Sequence, residues 1–313
     1  LTKLEGLDFK SFLVSHLGCV KGCIEYLGLD ISTPWLFGGT GHAFIINIHE
    51  GLCPSGPTAW KTTMLYELGR NLGYDIHGVF GQTTDELKET TWEYVKKAID
   101  NNQPCYGWQL GNIPDFYIIF GYDEEGYYYK GYDAMEGSGS LVWKELGKMF
   151  IEVYSVEKCK AAEDSIVVKG AFEQATKHSK NPEEWSVSEN YKTGLTGFDQ
   201  WITAVSSGIA DGFGLGYNSA LWAECRNYAV EFLKEANNRL GKQTRNLFDE
   251  AIRYYEIVAE SLTEVSNLYP HPYRKEGLIA VDDKSREATS ILKNARKAEA
   301  KGLEVLSKLV QVL

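Results

Sequence analysis

Side chains able to do chemistry are concentrated in the first half of the chain. Gly38-Gly39-Thr40-Gly41-His42 sets a histidine behind a glycine-rich turn, at the mouth of the apolar run His42 to Ile48. An imidazole there either moves protons near neutral pH or is a hydrogen-bonded structural histidine. The glycines match neither a dinucleotide fingerprint nor a phosphate loop, because they precede a strand-like run where a phosphate loop precedes a helix. Cys53-Pro54-Ser55-Gly56-Pro57 is a rigid loop expected to lead into a helix. Unpaired N–H groups at that helix start would suit an anion and favour a thiolate at Cys53; the alternative is a structural cysteine. Cys19 and Cys23 stand one helical turn apart, either as core or as half of a metal site. No second pair lies near them in sequence to complete a tetrahedral set, and no metal is expected. Cys105 and Cys225 read as buried and inert. Trp108, Gln109, Asp115 and Tyr117 line one cleft for a small polar ligand with an apolar part, or else form a packed sheet with an exposed acid.

These groups need a scaffold, and the composition says which kind. The chain has 313 residues, 43% of them hydrophobic and 24% charged, within the range of folded globular domains and long enough for two. Its formal charge is -11, from 43 acidic and 32 basic residues, which disfavours nucleic acid and anionic membrane surfaces as partners. No stretch approaches the roughly 20 apolar residues of a membrane helix. Six cysteines are too sparse for a disulfide framework, so reduced thiols and a cytoplasmic location are expected. No basic segment followed by an apolar stretch opens the chain, although it begins at Leu1 and a leader removed before that residue stays open.

The texture changes near residue 160. Residues 1–160 hold five of the six cysteines, 13 basic and 21 acidic residues, and a single arginine, Arg70; residues 161–313 hold 19 basic and 22 acidic residues with seven arginines. In the first half, helices are expected ending at Leu27 before Gly28, over Thr58 to Leu72 with Pro57 at the start, and over Thr84 to Asn101. Strands are expected over His42–Ile48, Cys105–Leu110, Phe116–Tyr122, Tyr127–Tyr132 and Met149–Val156, with Asp123 to Gly126 as a hairpin turn. The second half repeats apolar residues at three- and four-residue spacing and reads as a helical bundle. Asp211 to Asn218, with three glycines, is expected as a loop before a helix starting at Ser219. Glu224 and Arg226 on that helix are expected to take part in a surface or interdomain ion pair. The charged face over Lys284–Lys308 is either solvated or a surface for a second copy of the chain.

Two segments carry a family resemblance. Ser15-His16-Leu17-Gly18-Cys19-Val20-Lys21-Gly22-Cys23-Ile24-Glu25-Tyr26-Leu27-Gly28, continuing through Ser32 to Gly39, resembles the N-terminal family of butirosin-biosynthesis protein H. That family is related to papain-fold peptidases that cut double-glycine leaders. Asp115 to Asp123, followed by Gly126-Tyr127 and Asp133, looks like the strand and hairpin that carry the catalytic histidine and aspartate in that clan. The helical half is similar to the domain that accompanies the family. The resemblance implies a papain-like fold and transfer of an acyl group from a carrier protein to an amine. It also places the nucleophile column on Ser15, with Cys19 one turn later, the base column on Asp115, and the orienting column near Asp133.

The expectation is therefore an α+β protein: a papain-like domain over residues 1–160, helices packed on an antiparallel sheet, and an α-helical domain over 161–313. Cys19, Ser15, His42, Asp115 and Asp133 are the candidate catalytic residues, and His16, Cys53, Trp108, Gln109 and Tyr117 the candidate ligand contacts. If the first helix starts late, Cys19 is the nucleophile and His16 or His42 the base. The site is expected between the Ser15–Cys23 helix and the sheet carrying Asp115, walled partly by Gly212–Tyr217. Two functions follow: an acyltransferase or amidase acting on a small molecule or carrier-bound acyl group, or a catalytically silent relative that binds a small ligand or partner. No cofactor is expected, and the C-terminal helices are a surface for homo-oligomer formation.

Overall fold

The computed structural model describes residues 1–134, 139–240, 244–272 and 277–313. In chain order its elements are β1 (Thr2–Lys3), α1 (Ser15–Tyr26), α2 (Thr33–Gly39), β2 (Asn47–His49), α3 (Thr63–Asn71), β3 (Tyr74–Gln82), α4 (Asp85–Asp100), β4 (Cys105–Trp108), β5 (Phe116–Tyr122), β6 (Gly126–Lys130), β7 (Gly139–Val142), β8 (Phe150–Lys158), α5 (Asp164–Lys180), α6 (Pro182–Trp185), β9 (Tyr191–Thr193), α7 (Gly194–Ser207), α8 (Gly212–Leu240), α9 (Arg245–Leu268) and α10 (Asp283–Val312). The protein is α+β. No helix among the described residues is long and apolar enough to cross a membrane.

The chain packs into two units, Leu1–Ser32 with Leu72–Ala161, and Thr33–Asn71 with Ala162–Leu313. The cut expected at residue 160 falls beside Ala161. Thr33–Asn71, expected in the first domain, packs with the helices instead. Aromatic burial explains this: Trp35 meets Phe232 of α8 at 5.2 Å between ring centroids, and Phe44 meets Phe172, Phe232 and Tyr255.

The first unit is built on an antiparallel sheet in the order β3-β8-β4-β5-β6-β7, with β1 added beside β5. Register puts Tyr106 opposite Ile118 and Trp108 opposite Phe116, so these four share one face. Helix α1 covers that face: His16 lies on Tyr106 and Phe116, and Gly22 comes within reach of Ile118. Helix α4 begins where expected, with the Thr84 hydroxyl accepting the Leu87 N–H at 3.1 Å. Asp123 Oδ1 accepts the Glu125 and Gly126 N–H groups in the β5–β6 turn. Strand β3 pairs along its full length with β8, yet it has no counterpart among the expected strands, because Gly78 and Gly81 break its apolar pattern.

The second unit departs from expectation in three places. His42–Phe44 is a short 3-10 turn, and strand pairing is confined to Asn47–His49 against β9. The carbonyls of Ala43, Phe44 and Ile45 accept instead from the buried Arg226 guanidinium, which takes the place of a neighbouring strand. Helix α3 starts at Thr63, five residues later than expected. Before it, the backbone turns at Ser55–Trp60 are closed by Thr58 and Ala59 bonding back to Ser55, while Trp60 bridges to Ser186. Finally, Gly212–Tyr217 is helix, not loop. Asp211 Oδ1 accepts the Gly214 N–H at 2.7 Å and starts α8 there. A Cβ on Gly214 would lie 1.8 Å from the Leu52 carbonyl oxygen, so the glycine serves close packing within this unit.

Candidate functional site

Ser15 is the first residue of α1, and Val14 before it supplies no side-chain cap. The Ser15 hydroxyl donates to Asp115 Oδ1, and its oxygen accepts the Phe116 N–H at 3.2 Å. Two segments a hundred residues apart in sequence thus meet at the end of a helix and the start of β5. Both side chains are buried, Ser15 at 3% and Asp115 at 8% exposure. Burial pushes the Asp115 carboxyl up to about 6; the Ser15 and Phe116 hydrogen bonds hold it down, and the charge of Asp133 adds to the rise.

Asp133 joins the same cluster from a 3-10 turn, its Oδ2 accepting the Asn112 N–H at 2.8 Å. Tyr117 hydrogen-bonds both backbone groups of Ile113 through its hydroxyl. Burial, followed by Asp133, pushes the Tyr117 phenol up. Gln109 ends β4 in a left-handed conformation, φ 53°, and donates its backbone N–H to the Asp115 carbonyl at 2.7 Å. Trp108 Nε1 and Gln109 Oε1 are buried, with no hydrogen-bond partner among the described residues. A buried donor and a buried acceptor left open at adjacent positions are costly unless something meets them.

Cys19 does not become the nucleophile by a late helix start, because α1 begins at Ser15 and Cys19 sits inside it. It is fully buried; burial pushes its thiol well up, and Cys23 and Asp115 add to that. A thiolate there is disfavoured, the opposite of what thiol catalysis requires. Cys23 and Cys105 are likewise buried thiols pushed up by burial. His16 is turned to Tyr106, with its Nε2 2.9 Å from the phenol oxygen. Burial lowers its pKa to about 4, so it is neutral at pH 7.

His42 and Cys53 belong to the second unit. His42 Nδ1 faces Cys225 Sγ at 3.7 Å, a pairing that residue type did not reveal, and Cys225 is the buried thiol expected. Both residues are 2% exposed or less, and burial pushes the Cys225 thiol well up. Cys53 Sγ accepts the Ser55 hydroxyl at 3.0 Å, and its carbonyl accepts from Asn218. Helix α3 starts only at Thr63, six residues after Pro57, so the helix end expected beside Cys53–Pro57 is not formed there. Arg226 is also a correction: its partner is Glu299 of α10, at 2.9 Å and fully inside the second unit.

The structure therefore joins Ser15, Asp115, Asp133, Tyr117, Trp108 and Gln109 into one neighbourhood of the first unit. The amide of Phe116 was missed there, since backbone groups leave no mark in residue type. No family model matches the chain, and no curated protein matches it.

Proposed function

We propose that this protein is a papain-like relative of the butirosin-biosynthesis H family that has lost thiol–imidazole catalysis and binds a small polar ligand beside Ser15 and Asp115. One observation carries the proposal: the Ser15 hydroxyl is committed to Asp115 and to the Phe116 amide, at the positions where the resemblance puts nucleophile and base. A carboxyl with a pKa of about 6 is a poor base for a serine hydroxyl, and a thiol pushed well up at Cys19 is a poor nucleophile. Among the described residues the buried Trp108 Nε1 and Gln109 Oε1 have no partner, which favours a ligand that brings an acceptor to the one or a donor to the other, as an amide can.

The competing function is acyl transfer or amide hydrolysis, from a carrier-bound acyl group or a small molecule. The two separate under a serine-directed fluorophosphonate and a thiol-directed iodoacetamide, applied to the native protein at pH 8. No Ser15 or Cys19 adduct is expected, together with thermal stabilisation by a small amide-bearing compound that Gln109→Ala abolishes. Stoichiometric modification of Ser15 or Cys19, absent from Ser15→Ala or Cys19→Ala, would restore the enzyme.

A further inference from the structure

At one edge of the sheet, three side chains capable of binding a metal converge outside the Ser15–Asp115 neighbourhood. Asp75 and His77 alternate along β3 and so point to the same face, and register sets Glu157 of β8 directly opposite Asp75. His77 Nε2 lies 3.1 Å from Glu157 Oε1 and 3.6 Å from Asp75 Oδ2, and the three donor atoms lie within 4.8 Å of one another. Four ligands held tetrahedrally about 2.0–2.1 Å from a zinc ion are about 3.4 Å apart. The two distances to the imidazole bracket that spacing.

The donors are also oriented from behind. Glu157 Oε2 accepts from Gln103 at 3.2 Å, which turns Oε1 toward His77. Asp75 Oδ1 accepts the Ile76 N–H at 2.9 Å, which turns Oδ2 the same way. The His77 carbonyl accepts the Tyr94 hydroxyl at 2.8 Å, tying this strand position to α4. Outer partners of this kind typically set the orientation and affinity of metal ligands.

We infer that Asp75, His77 and Glu157 form a binding site for a divalent transition-metal ion of the zinc class, with one imidazole nitrogen, two carboxylate oxygens and a water completing the set. Binding moves the imidazole proton to Nδ1 and gives the Nε2 lone pair to the metal. The two carboxylates supply two negative charges against the ion's two positive ones. One nitrogen among oxygens favours zinc over magnesium or calcium, which prefer all-oxygen shells. In sequence only Cys19 and Cys23 have metal-like spacing; Asp75 and His77 meet Glu157 only through the pairing of β3 with β8.

The test is calorimetric titration of the full chain with ZnCl2, in a Cys159→Ser background that removes an exposed thiol as a competing ligand. One saturable equivalent is expected, lost in His77→Ala and weakened about 10-fold in Gln103→Ala, while MgCl2 at the same concentration gives none. His77→Gln, which keeps side-chain volume, is a second variant against misfolding and should also lose the zinc site. A wild-type titration without saturable binding would overturn the inference, leaving an ordinary ion pair. So would saturable binding that both His77 variants retain.

Discussion

Burial acts on two titratable side chains of the first unit in opposite directions. The Asp115 carboxyl rises from 3.8 to about 6, so the folded protein holds a proton the unfolded chain would release, and stability is lost as pH climbs from about 4 through 6. His16 falls from 6.5 to about 4, so stability is present above pH 6.5 and lost as pH drops toward 4. Each effect is worth about 3 kcal/mol across its window. Asp115→Asn removes the first and leaves the second. Urea denaturation between pH 4.5 and 6 should show stability rising with pH more steeply in Asp115→Asn than in wild type, by about 1 kcal/mol per pH unit. At pH 8 the variant should be the more stable of the two. Parallel curves would mean that Asp115 titrates as a solvated carboxyl.

At the scale of elements, the position of α1 decides whether Ser15 can reach β5 at all. Gly18 and Gly22 face the N-terminal segment, where added Cβ atoms would lie 2.2 Å from the Lys10 carbonyl oxygen and 2.0 Å from that of Asp8. The clash is with backbone, so no side-chain rotation relieves it. Gly22→Ala is expected to cost about 1–3 kcal/mol, read as a lowered denaturation midpoint. An unchanged midpoint would mean that the 8–10 segment is free to move aside. The sequence marked single ends of several elements here, with Gly28 after α1, Thr84 before α4 and Asp123 to Gly126 between β5 and β6. Each of those signals is local: a left-handed position, a side-chain cap, a turn that bonds to itself.

At the scale of the molecule, the second unit is organised around one arginine. All five N–H donors of Arg226 are used: two on Glu299 in a bidentate pair, and three on the carbonyls of Ala43, Phe44 and Ile45. Burial pulls its pKa down, and Glu299 outweighs that and holds it up. Arg226→Met strands a buried carboxylate and three carbonyls, and is expected to cost about 3–5 kcal/mol. Adding Glu299→Leu should recover part of that loss only, because the three carbonyls still have no donor. Full recovery in thermal denaturation would show that water or a shifted backbone satisfies them.

What the chain determined by itself follows from short-range physics: the α+β composition, the helical second half and the β4–β5–β6 meander. Periodicity and caps act over a few residues, so they can be read in order. The tertiary structure decided the rest, because it depends on partners distant in sequence. His42–Ile48 carries the apolar run of a strand, but Arg226, over 180 residues later, takes its carbonyls. Gly212–Gly216 has the composition of a loop, but close packing against Leu52 accommodates it as helix. Ser15 with Asp115, His42 with Cys225 and His77 with Glu157 are all contacts across 80 residues or more, and residue type alone could name their members without pairing them.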